Sequence, residues 1–183
     1  MKCGKNIEMN HKGESAMNQF AYDETTKDVL EQLQKGAFLT VKAGGRVNTM
    51  TIGWATFGYV WKKPVLTVYV RQSRYTWELL KDAKDFTVSV PLTGQLKKEL
   101  GYTGKMSGRD VDKLAETGLM LLPSETVESP AIAGCNAVYE CRILAHHTLE
   151  KAHYDDEAVY AAVYPTDDLH TVFYGEIVNY KAL

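Results

Sequence analysis

The chain contains no long apolar run: none approaches the roughly 20 residues that a helix needs to cross a bilayer. Its opening residues, Met1-Lys2-Cys3-Gly4-Lys5-Asn6, lead into more polar sequence instead of the apolar core of a secretory signal. A soluble, cytoplasmic protein without a membrane partner is expected. Cysteine is scarce, and Cys3, Cys135 and Cys141 are odd in number and lack Cys-x-x-Cys spacing. That excludes a disulfide framework, a cysteine zinc site and a dithiol motif, and fits a reducing compartment. A basic excess is also missing: the net charge is −2 and the pI about 6.2, which argues against nucleic acid as a partner. There is no Walker loop, no Gly-x-Ser-x-Gly elbow and no Gly-x-Gly-x-x-Gly after a strand. His146, His147 and His153, with Asp155 and Asp156 nearby, match no fixed ligand spacing, so no metal site is expected. Internal repeats and low-complexity segments are absent as well.

What remains is an ordinary globular composition, 45% apolar and 24% charged, in a chain of 183 residues, enough for one domain with a sizeable core. Residues 1–20 are polar and without hydrophobic period, so they read as a loosely ordered tail, with the domain at 21–183. A short helix is expected from Asp23 to Gly36, with Val29, Leu30 and Leu33 on its apolar face. Strands follow at Ala37–Lys42 up to Gly44-Gly45, at Thr49–Trp61 with interruptions at Gly53 and Gly58, and at Val65–Val70 after a turn at Lys62-Lys63-Pro64. Thr76 is placed to cap a helix over Trp77–Lys81. A strand at Phe86–Val90 precedes a helix from Thr93 to Gly101, a loop from Tyr102 to Arg109, and a helix from Asp110 to Glu116 closed by Gly118. The last third reads as β: Leu119–Leu122, Ala137–Leu144 continuing to Thr148, Ala158–Tyr164 and His170–Tyr180. Many short strands with few short helices predict a mainly β, antiparallel, closed or partly closed barrel.

Three clusters carry chemistry. Arg71, Ser73, Arg74 and Thr76 put two guanidinium groups and two hydroxyls beside a helix start, which is what a phosphate requires. Asn48-Thr49-Met50-Thr51 sets short polar side chains beside Trp54, suited to the polar edge of a flat aromatic ligand such as a flavin. Ser107 and Gly108 precede a helix start and are free to approach an anion, with Lys113 adding charge. The bland alternatives stand beside these readings: surface arginines in ordinary salt bridges, and Met50, Ile52 and Trp54 as one core-facing row.

In order along the chain, Asn48-Thr49-Met50-Thr51-Ile52-Gly53-Trp54, Trp61-Lys62-Lys63-Pro64-Val65, Tyr69-Val70-Arg71-Gln72-Ser73-Arg74-Tyr75-Thr76, Ser107–Lys113 and Tyr174-Gly175-Glu176-Ile177-Val178 resemble the flavin reductase family, in particular its flavoredoxin-like branch. The resemblance runs from about Lys35 to the end. It implies the FMN-binding, Greek-key split β-barrel, a homodimer, and FMN held at or near the dimer interface. Carried over by motif, Asn48, Thr49, Met50 and Thr51 would line the flavin ring edge, with Trp54 beside it. Arg71, Ser73, Arg74, Tyr75 and Thr76 would surround the phosphate, with Ser107, Gly108 and Lys113 closing the site. The expected function is a flavin-dependent oxidoreductase, reduced by NAD(P)H or by a redox protein partner. The alternative is a non-catalytic flavin-binding or sensor module on the same barrel. Flavin carries its own redox chemistry, so no protein acid, base or nucleophile is demanded and no catalytic residue is assigned. Where relatives often carry a Cys-Gly pair before the Ser-Gly block, this chain has Gly101-Tyr102.

Overall fold

A computed structural model describes residues 25–182, so the polar tail, Cys3 and the expected first turn at Asp23 and Glu24 lie outside the described residues. The first helix, α1 (Thr25–Leu33), buries Val29 and Leu33. Strands β1 (Ala37–Ala43), β2 (Arg46–Ile52), β3 (Ala55–Val60) and β4 (Lys63–Arg71) follow, then α2 (Tyr75–Leu80) and β5 (Asp85–Val90). Helices α3 (Lys97–Lys105) and α4 (Lys113–Thr117) come next, then a small hairpin of β6 (Leu121–Leu122) and β7 (Ala131–Ile132). The chain closes with β8 (Ala137–Thr148), α5 (Glu157–Val163) and β9 (His170–Ala182).

Seven strands form one antiparallel sheet in the order β2-β1-β5-β8-β9-β4-β3. Its two outer strands, β2 and β3, are consecutive in the chain and joined only through Gly53 and Trp54. Ile52 and Ala55 are three Cα steps apart, at most about 11 Å. The edges of a flat sheet of this width would stand about 29 Å apart. The sheet must therefore curl until its edges meet, leaving a barrel split between β2 and β3. After the β1-to-β4 run, β5 returns to pair with β1, with Phe38 opposite Ser89. This is the Greek-key return, and the expected split antiparallel barrel is the fold formed.

Alternation along the strands fills the barrel. Leu39, Val41, Met50, Ile52, Leu66, Val68, Val70, Phe86, Val88, Tyr139, Phe173 and Ile177 form one buried cluster, joined from outside by Val29 and Leu33 of α1 and Leu79 and Leu80 of α2. The opposite face of β1 is covered too: Phe38 packs with Leu100, Leu119, Ile132 and Cys135 in a second cluster under α3 and the small hairpin. Burial raises the Cys135 thiol to about 12 and, with the nearby Glu140 and Asp85 charges, also lifts Cys141 well above the ordinary thiol value, which keeps both protonated and unreactive.

Several boundaries differ from the expectation, each for a local reason. Ala158–Tyr164 is helical rather than β: the Asp156 side chain accepts from the Ala158 and Val159 N–H groups at 2.9 and 3.2 Å and starts α5. Helical spacing then brings Tyr160 and Tyr164 together, with ring centroids 5.6 Å apart. Helix α3 starts after Leu96, not at Thr93, and runs through Gly101 to Lys105. Helix α4 starts at Lys113 instead of Asp110, because Asp112 is its cap, accepting from the N–H groups of Leu114 and Ala115. Gly118 ends it as expected, in the left-handed conformation at φ 69°. The strand expected at Leu119–Leu122 shrinks to Leu121–Leu122. The β3–β4 turn falls on Trp61 and Lys62, both at positive φ (53° and 60°), the signature of a tight primed turn.

Gly175, in the middle of β9, is required by crowding. A Cβ there would lie 2.5 Å from Phe86 Cζ and 2.8 Å from Cys141 Cβ. Gly175→Ala should cost about 1–3 kcal/mol, the usual range for overpacking a filled core. Equilibrium urea denaturation checks this; a midpoint equal to that of the parent protein would contradict the packing described.

Candidate functional site

The three chemical clusters of the sequence meet on one side of the barrel. At its centre Asn48 Nδ2 donates to Thr76 Oγ1 at 2.7 Å, a buried bond between β2 and the first turn of α2. Thr76 is consequently not the cap of α2. Arg74 takes that position, and Thr76 lies inside the helix with its hydroxyl turned to Asn48.

A cavity of about 240 Å³ opens here, lined by Met50, Arg71, Ser73, Arg74, Tyr75, Thr76, Ser107, Gly108 and Lys113 of the expected set. Lys105, Met106, Arg109 and Asp168 complete its wall. A second cavity of about 500 Å³ adjoins it, sharing Tyr75, Gly108, Arg109 and Lys113, and adds Asn48 and Thr49. The larger of the two is in the size range of small-molecule sites, about 300–1,000 Å³. Thr51 and Trp54 line neither. The Thr51 hydroxyl lies 2.6 Å from the Leu100 carbonyl oxygen and 2.8 Å from Thr103 Oγ1, so it secures α3. Trp54 lies past the end of β2, 45% exposed, with its ring centroid 4.6 Å from that of His170.

Met50 satisfies both readings offered by its sequence context. It belongs to the barrel core and also reaches the cavity wall. Gly108 is needed by its neighbours: a Cβ would fall 2.1 Å from Asn48 Oδ1 and 2.8 Å from Tyr75 Cδ1. The absent side chain lets the 106–109 loop press against β2 and α2.

Charge is unevenly distributed around this space. Lys113 is only 6% exposed, and its ammonium donates to the Thr49 carbonyl at 3.0 Å and the Thr103 carbonyl at 2.9 Å. Among the described residues neither Lys113 nor Arg74 makes an ion pair with a carboxylate. Burial, and then the charge of Arg74, brings the Lys113 pKa down to about 8. Arg74 spends one hydrogen bond on the Gly104 carbonyl, 2.9 Å away. Arg109 pairs with Glu78 at 2.6 Å and donates to the Ser73 carbonyl. Arg71 donates to the carbonyls of Asp168 and Val163 at 2.7 and 3.0 Å, and its guanidinium lies 5.2 Å from the Tyr164 ring centroid.

Asp168, Tyr164 and His170 do not stand out in the sequence. The only hint, an acidic pair beside an aromatic run, gives no sign that it folds back on Ser73. Burial and then the charge of Arg71 push the His170 pKa down to about 4, so its ring is neutral near pH 7. Its Nδ1 lies 2.8 Å from the Tyr164 hydroxyl. The other described histidines line neither cavity. His146 stacks on Phe173, His147 on Tyr174, and His153 Nδ1 accepts from the Glu150 N–H.

The donor set is therefore cationic and rich in N–H and O–H groups, and Lys113 is a buried charge without a counter-ion among the described residues. Such a group costs free energy until an anion joins it. In a lysine-resolved NMR titration Lys113 should lose its proton near pH 8, and Arg74→Ala should move that midpoint upward. A midpoint near 10.4, about the ordinary lysine value, would contradict the burial described.

Residues 34–182 match the family described as Flavin reductase like domain. An uncharacterised protein of Archaeoglobus fulgidus is 31% identical over 142 residues, 78% of this chain and 69% of the relative. Among solved structures, a flavoredoxin from Methanosarcina acetivorans is 27% identical with a TM-score of 0.62, over 81% of this chain and 68% of the other. An FMN-binding protein from Thermus thermophilus, solved with 1-cyclohex-2-enone bound, is 26% identical with a TM-score of 0.62, over 80% and 69%. With four-fifths of its length matched and the same split barrel underneath, the chain belongs to the flavin reductase like domain family.

Proposed function

We propose that the protein is an FMN-dependent oxidoreductase whose flavin lies across the two adjoining cavities. The observation that carries this reading is the cationic wall: Lys113 buried without a counter-ion among the described residues, with Arg74 beside it. The chemistry of that donor set fits an anionic, hydrogen-bonding ligand, and a phosphate with a polar ring edge supplies both requirements. The likeness to a flavoredoxin and to an FMN-binding protein supports a flavin as that ligand.

Arg74, Tyr75 and Thr76 are assigned to the phosphate, with Arg71 and Ser73 on the same wall. Asn48, Thr49 and Met50 are assigned to the ring, Ser107 and Gly108 to the rim, and Lys113 to the charge between the two halves. The side chains of Thr51 and Trp54 act elsewhere, Thr51 in holding α3 and Trp54 in packing on His170. When bound, flavin supplies the hydride and electron chemistry. The chain's own residues bind and orient it and exclude water. A retained proton on Lys113 favours whichever state of the ligand carries more negative charge. His170, neutral and hydrogen-bonded to Tyr164, adds no competing positive charge near pH 7.

The donor is proposed to be NAD(P)H or a small redox protein, and the active species a homodimer. Trp54, Tyr59 and Trp61 are exposed on and beside β3, an apolar edge suited to cover by a second copy. Light scattering at a mass twice that of the chain would support the dimer.

Purified protein should be yellow, or take up added FMN, and lose its blue absorbance with dithionite. Arg74→Ala and Lys113→Met should each lower FMN affinity about tenfold or more, the effect of losing one charge-assisted contact, with far-ultraviolet circular dichroism unchanged. FMN binding unaltered in both variants would refute the assignment. Anaerobic titration with NADH, NADPH and reduced ferredoxin distinguishes the donors. A protein that binds FMN but is reduced by none of them would instead be the non-catalytic binding module.

A further inference from the structure

The part of the cavity suited to an anion is already approached by a carboxylate of the chain itself. Residues 164–169 form a strap between α5 and β9, and its course is held at several points. Asp167 is in the left-handed conformation at φ 55° and accepts from the Tyr160 hydroxyl at 2.5 Å. The Gln72 N–H donates to the Leu169 carbonyl at 3.2 Å. Arg71 clamps the strap from the other side through the Asp168 and Val163 carbonyls.

So held, Asp168 faces Ser73. The Ser73 N–H donates to Asp168 Oδ1 at 3.1 Å and the Ser73 hydroxyl to Oδ2 at 2.6 Å. Arg71 Nη1 lies 4.0 Å from Oδ2. A carboxylate thus takes two hydrogen bonds and some cationic charge that a phosphate at this wall would use. Asp168 also lines the same cavity as Arg74 and Lys113. Two anions cannot share the Ser73 donors without repulsion, because each needs the same protons. The Asp168 side chain is 25% exposed, so it has an open side toward which to turn.

We propose that Asp168 is a selectivity residue: its carboxylate fills part of the anion cradle, so a phosphate-bearing flavin must displace it from Ser73 whereas an uncharged flavin need not. The inference rests on the flavin reading above. It makes the protein a weaker and less discriminating FMN binder than its cationic wall alone would give. The Asp168 carboxylate bonds to Ser73 and lies beside Arg71, both on the wall assigned to the phosphate, so its effect should follow the charge carried by the ligand.

The test compares FMN with riboflavin, which lacks the phosphate, by quenching of flavin fluorescence at pH 7. Asp168→Asn keeps an oxygen to accept from Ser73 and removes the charge. It should raise FMN affinity about tenfold or more while riboflavin affinity stays within about twofold. Asp168→Ala, which removes the acceptor too, should move FMN affinity in the same direction. Circular dichroism and denaturation midpoints confirm that the strap variants are folded. FMN affinity equal to or below that of the parent in both variants overturns the role of Asp168 and leaves the flavin reading standing. A matching gain for riboflavin overturns it as well. If parent and variants bind neither flavin, the proposal falls together with the flavin reading.

Discussion

Lys113 is held in the cavity wall by two backbone carbonyls, one from β2 and one from α3, with the residue as a whole buried. The arrangement ties three elements to one charge. Thr49 brings the edge strand, Thr103 brings the helix laid over it, and α4 delivers the lysine itself. Carbonyl dipoles solvate an ammonium only partly, and Arg74 raises the cost further. The most economical arrangement that relieves both charges is an anion in the adjoining space, and the rest of the site is arranged around that space.

The barrel makes this geometry possible. Because β2 and β3 are the two sheet edges and are joined by only two residues, the β2 edge is left uncovered by a neighbouring strand on its outer side. Helices α2, α3 and α4 occupy that flank, and their loops converge there. The Asn48–Thr76 bond then fixes α2 against β2, and the missing side chain of Gly108 lets the 106–109 loop close in. The strap before β9 adds an opposing charge, Asp168, at the same wall. On the proposed reading, binding at this site is a balance between a cation that lacks an anion and an aspartate that competes for its place.

How much of this is legible in the sequence depends on the range of the interaction. The strands Ala37–Ala43, Lys63–Arg71, Asp85–Val90, Ala137–Thr148 and His170–Ala182 are visible because alternation and β-branched residues act over a few neighbours. Ala158–Tyr164 misleads because a short apolar run fits both periods, and the deciding cap, Asp156, lies just outside it. The Arg71–Thr76 cluster is recognisable as phosphate-like chemistry. That Arg71 is largely committed to the strap is not, since its partners are over 90 residues away. Lys113 shows in the sequence only as an added charge. Its burial, and the shift that follows, depend on Thr49 and Thr103, which no local pattern connects to it. Trp54 looks like a ring neighbour as long as it shares parity with Met50, but the chain leaves the strand at Ile52 and that parity no longer applies.

On the proposed reading, Lys113 holds a charge that a ligand anion completes. Isothermal titration calorimetry of FMN binding at pH 8, in two buffers of different ionisation enthalpy, reads the protons exchanged. With the lysine pKa at about 8, half the free protein carries the proton at that pH and the FMN complex should carry it fully. Binding should therefore take up about half a proton, and Lys113→Met should abolish the uptake. No uptake by the parent protein, or the same uptake by the variant, would contradict the account.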